Sequence, residues 1–114
     1  MKELIRKKGK VIVNPKEFPE EGIIFLCNSW SNAVLYVQDV IYYLNEHPYI
    51  TLYVYDIDGS EYSVFKSHTG IISHGRGETF AVYNAKIVDS IMDGKFLNKE
   101  SFEQLLKSYT DQSK

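Results

Sequence analysis

A chain of 114 residues, 25% charged and 44% hydrophobic, is long enough for one domain around one sizeable core. Its formal net charge of −2 gives no global field for nucleic acid, and no run of 18 apolar residues is present to span a membrane. Cys27 is the only cysteine, so no disulfide forms within the chain, and a reducing compartment is expected.

Lys2, Arg6, Lys7, Lys8 and Lys10 crowd the first ten residues against one acid, Glu3. Charge runs usually face water, so residues 1–9 are read as a solvated basic arm. The arm lacks the apolar middle of a signal peptide, and a cytoplasmic location is expected. The β-branched run at 10–13 predicts a first strand. Asn14-Pro15 follows, a natural cap and first helical residue, and predicts a short helix interrupted by Pro19 and Gly22. Residues 23–27 are continuously apolar, as in a strand covered on both faces.

A polar elbow, Asn28-Ser29-Trp30-Ser31-Asn32, leads into a long helix expected from 31 or 32 to 46. Val34, Val37, Ile41 and Leu44 form its apolar stripe, and His47-Pro48 ends it. Residues 50–55 predict a third strand, making a strand–helix–strand crossover with a parallel pair. Asp56 and Asp58 resemble an acid pair, but alternation would send both to one sheet face and they are read as strand-end caps. A weaker helix is predicted at 60–68. Gly70, Gly75 and Gly77 then mark an irregular loop. Strands at 79–84 and 86–92, joined tightly at Asn84-Ala85, predict an antiparallel hairpin. Asp93-Gly94 is a turn. Asn98 is expected to cap a last helix striped by Phe102, Leu105, Leu106 and Tyr109, with a polar tail fraying from 110.

This order, together with particular residues, resembles the thioredoxin-like fold superfamily over about residues 10–109: α/β, with a central mixed four- to five-stranded sheet flanked by helices. The apolar strand, Trp30 and the long helix are similar to the family stretch around W-C-G-P-C. Residues 54–58 look like its third strand and terminal acid. Glu78-Thr79-Phe80 falls where the family has its cis-Pro-Thr, and Asp93-Gly94 resembles the glycine after the hairpin. The resemblance also shows what this chain lacks. The two family cysteines fall at Ser31 and Val34, so the attacking and resolving thiolates of dithiol exchange are both missing. The family's buried acid falls at Phe25 and the lysine facing it at about Val54. Glu78 stands at the cis-proline position, where a trans bond is expected.

Cys27 sits at a strand end with no Lys or Arg within ten residues, so the expectation is a buried, inert thiol, with a reactive monothiol as the alternative. Trp30 reads equally as a partner-facing anchor or a lid over the core. The histidines 47, 68 and 74 lack ligand spacing, so no metal and no cofactor is expected. The loop at 74–78 reads as filler, or as backbone amides for an anion. The resemblance implies a binding face of Ser29, Trp30, Ser31, Asn32, Arg76, Gly77, Glu78 and Thr79, where the family holds extended peptides by backbone hydrogen bonds. The expected function is a redox-inactive, protein-binding module. The alternative is a monothiol oxidoreductase using Cys27. The expected partner is a protein or peptide rather than nucleic acid or membrane. Nine tyrosines leave a symmetric homodimer open.

Overall fold

The computed structural model describes residues 10–28 and 33–113. The strands are β1 (Val11–Val13), β2 (Gly22–Cys27), β3 (Leu52–Asp56), β4 (Arg76–Tyr83) and β5 (Lys86–Ile91). The helices are α1 (Ala33–Leu44), α2 (Tyr62–Thr69) and α3 (Lys99–Ser113), with a single 3-10 turn at Gly94–Phe96. The strands form one mixed sheet in the order β1-β3-β2-β4-β5. β3 runs parallel to both β1 and β2, while β4 is antiparallel to β2 and β5.

β2 lies at the centre, and all six of its residues are buried. Alternate side chains serve opposite faces of a strand. Ile23, Phe25 and Cys27 join the core under α1 and α3. Ile24 and Leu26 join a second core with Phe65 of α2. Full burial of each large apolar side chain stabilises the fold by about 1.5–3 kcal/mol, which is why no polar residue interrupts this run. α3 starts as expected. The Asn98 side chain accepts from Ser101 N (2.8 Å), and Asn98 N donates back to Ser101 Oγ (3.0 Å), a reciprocal cap.

Several expectations need correction. No helix follows Asn14. That residue has φ 51°, donates its N–H to Val54 O (2.7 Å) and accepts from Asp56 N (2.9 Å). Asn14 therefore ties the exit of β1 to the end of β3 instead of capping a helix. Asp58 lies beyond β3 in the turn, where its N–H donates to Asp56 Oδ1 (3.0 Å), so only Asp56 caps the strand. α1 stops at Leu44, because the amides of Asn45 and His47 turn back onto Tyr42 O and Leu44 O. β4 begins at Arg76, earlier than the apolar pattern indicates, because its first residues pair with β2 rather than with β5. α3 runs on to Ser113 instead of fraying at 110.

Candidate functional site: the carboxyl end of β2

The carboxyl end of β2 collects Cys27, Asp56 and the start of β4. Cys27 pairs with Asp56 on one side and Arg76 on the other, and Ile57 N donates to Cys27 O (2.9 Å). The Cys27 side chain is fully buried. Burial pushes its thiol from 9.0 up to about 12, and the neighbouring charges of Asp56 and Glu78 push the same way. Arg76 sits opposite Cys27 in register, a cation that sequence distance had hidden, yet its side chain is exposed. The arrangement is the reverse of a thiolate site, which needs a nearby cation or helix N-terminus and access.

The loop entering β4 is built around Glu78, which is 3% exposed. Its Oε2 accepts from Ser73 Oγ (2.6 Å) and His74 N (3.1 Å), and its Oε1 accepts from Arg76 N (2.8 Å). Gly75 N donates to Ser73 Oγ (2.9 Å), and Ser73 N donates to Tyr62 OH (2.8 Å). The amides of His74 and Arg76, which an external anion would use, are thus engaged by the chain's own carboxylate. Gly75 is required at φ 69°. A Cβ there would lie 2.9 Å from Ile57 Cδ1 and 3.0 Å from Asn28 Nδ2. The loop therefore packs directly on the first residue of the elbow.

Of the expected face, Arg76 is exposed, while Gly77, Glu78 and Thr79 are buried. Thr79 Oγ1 donates to Gly77 O (3.1 Å). Ser29, Trp30, Ser31 and Asn32 lie outside the described residues. Sequence reasoning missed Tyr36, whose ring packs on Gly94 and lies 3.2 Å from a Cβ placed on Gly77. It also missed Ser73 and Tyr62 as supports of Glu78; no motif spacing links these residues.

Phe25 and Val54 are direct cross-strand partners, both fully buried in the same core. The positions to which the resemblance assigns the family's acid and its facing lysine are thus occupied by an apolar cross-strand pair. His68 stacks on Phe18 (3.9 Å between centroids) and bonds to Ala85 O (2.7 Å). His47 approaches Tyr49 OH at 3.4 Å. Among the described residues no cluster of three or more His, Cys, Asp or Glu is placed to hold a metal ion, and no helix is long and apolar enough to cross a membrane. The peptide bonds of the described residues, including that before Glu78, contain no cis form.

No protein-family model matches the chain, and no curated protein matches it. Solved structures do. Thioredoxin NaTrxh from Nicotiana alata superposes with a TM-score of 0.65 at 14% identity, covering 93% of this chain and 98% of that one. Thioredoxin O1 from Arabidopsis thaliana, oxidized, gives 0.61 at 14% identity over 85% and 95%. Mitochondrial thioredoxin 3 from Saccharomyces cerevisiae, oxidized, gives 0.59 at 12% identity over 88% and 93%. Identities this low speak to the fold alone. The strand order, the central buried β2 and these superpositions together make the fold of this chain thioredoxin-like.

Proposed function

We propose that this protein is a thioredoxin-fold binding module that holds another protein or peptide and carries out no dithiol exchange. The observation that carries this reading is the sealed thiol of Cys27: the chain's sole cysteine, fully buried, and raised to about 12. Exchange needs an accessible thiolate and a second thiol to resolve the mixed disulfide. The apolar Phe25–Val54 pair supports the same reading, since it offers no group to move a proton at the site.

The working surface in this reading is Ser29 to Asn32 together with Arg76, which is exposed and lies opposite Cys27 at the end of β2. Glu78, Gly77 and Thr79 serve it from within, by fixing the backbone on which a partner would rest. Glu78 therefore makes a poor probe, because replacing it would unseat the loop. The test is affinity capture from the protein's own cell extract with three baits: the natural chain, a Trp30→Ala/Arg76→Glu variant, and Lys66→Glu on the exposed side of α2 as a control. Partners kept by the natural chain and the control but lost by the double variant support the face. Equal capture by all three counts against it. The monothiol oxidoreductase alternative would require the end of β2 to open and expose Cys27.

A further inference from the structure

The groove between α1 and α3 plays no part in the reading above. It opens beside the C-terminal end of α1, a 12-residue helix and so about 18 Å long, whose other end leads from the elbow. The groove encloses about 170 Å³ and is lined by Tyr42, Tyr43, Glu46, Lys99, Phe102 and Glu103, among others. Its aromatic rings form a ladder from core to surface. Phe102 is fully buried, Tyr43 lies 5.4 Å from it, and Tyr42 stands edge-on 5.9 Å from Tyr43. Tyr42 is 72% exposed. A large aromatic knob thus projects at the rim of a hole of about the volume of a tyrosine ring.

Both signs of charge surround that hole. Glu46 and Glu103 face it together with Lys99, and the outer side of α3 adds Glu100 and Lys107. A partner carrying one sign of charge would set part of this rim against like charge. A second copy brings both signs, a lysine to meet Glu103 and a carboxylate to meet Lys99. A two-fold contact demands a surface complementary to itself, and here knob, hole, cation and anions lie on one patch. We infer that the α1–α3 groove is the interface of a homodimer. The two α3 helices run antiparallel, Tyr42 of each copy enters the groove of the other, and Lys99 of each meets Glu103 of the other. Tyrosine is a residue type that dominates binding at interface centres. The inference does not depend on the proposed function, and it leaves the elbow end of α1 open.

Sedimentation equilibrium of the full chain, from micromolar to submillimolar concentration, tests it. The natural protein should reach twice the monomer mass. Tyr42→Ala should raise the dissociation constant by about 30-fold or more, the loss typical of a central anchor. Lys99→Glu alone and Glu103→Lys alone should each weaken association, because each sets like charges together. An equimolar mixture of the two should associate again, since each reversed charge then meets its opposite. All three positions are exposed, and thermal melts check that the fold is kept. A natural chain that stays monomeric throughout, a Tyr42→Ala variant that dimerises as the natural chain does, or a mixture no better than its components would each overturn the inference.

Discussion

Glu78→Ala should be among the most damaging single substitutions in the chain. Glu78 is 3% exposed and accepts three hydrogen bonds, from Ser73 Oγ and from the amides of His74 and Arg76. Bonds to a charged acceptor contribute about 1.5–3 kcal/mol each, and a donor left buried without a partner costs about 1–3 kcal/mol. The three are not independent, because Ser73 also receives Gly75 N and hands its own N–H to Tyr62. Loss of the whole set should therefore cost about 3–5 kcal/mol, less than the simple sum. Glu78→Gln keeps one acceptor oxygen but turns an amide donor towards groups that already donate, and should fall between the two. Equilibrium urea unfolding of the natural chain and both variants measures this. A Glu78→Ala variant within about 0.5 kcal/mol of the natural chain, the range of ordinary surface substitutions, would refute the claim that the carboxylate organises the loop.

Cys27 should alkylate slowly in the folded state near neutral pH and at the ordinary rate in denaturant. A thiol raised from 9.0 to about 12 holds roughly a thousandfold less thiolate near neutral pH, and equal rates in both states would contradict the sealed strand end. Tyr55→Phe should leave stability at neutral pH unchanged or raise it by about 1–3 kcal/mol, because the natural hydroxyl is buried without a hydrogen-bond partner; a clear loss of stability would count against that. Burial also raises Tyr55 and Tyr109 from 10.0 to about 12, Tyr109 with help from Glu21. For these two and Cys27 the folded value lies above the unfolded one. Stability is unaffected by these groups below the unfolded values of 9.0 and 10.0 and falls as the pH rises from there towards 12, because the folded state resists their ionisation. Ionisation of either tyrosine therefore works against the fold, so the natural chain should weaken in alkali and Tyr55→Phe less so. Gly94→Ala should destabilise by about 1–3 kcal/mol, because its Cβ would overlap the Tyr36 ring and lie 2.9 Å from Arg76 O; shortening Tyr36 to Ala in the same chain should recover part of the loss.

The sheet was legible because its central strand announces itself. Residues 23–27 have no polar interruption, and only a strand covered on both faces requires that. The hairpin at Asn84-Ala85 and the Asn98 cap rest on local chemistry that a short window of sequence contains. Asn14 misled for the same reason: Asn-Pro is a sound local helix start, but the Asn14 side chain is taken by Asp56 N, 42 residues away. The candidate site failed in a similar way. Glu78 reads as a surface charge until Ser73 and the loop amides fold around it. Arg76 reads as distant from Cys27 until β4 pairs with β2. The sequence points to the end of β2 as the candidate site. It could not tell which of the polar residues there look outward and which look in.

Binding without thiol chemistry is the function proposed for this fold. Its most direct test is reduction of insulin disulfides in the presence of dithiothreitol, followed by the turbidity of the released chains. The natural protein should give no acceleration over dithiothreitol alone, and Cys27→Ser should be indistinguishable from it. Acceleration of the kind a thioredoxin gives, abolished by Cys27→Ser, would contradict the account.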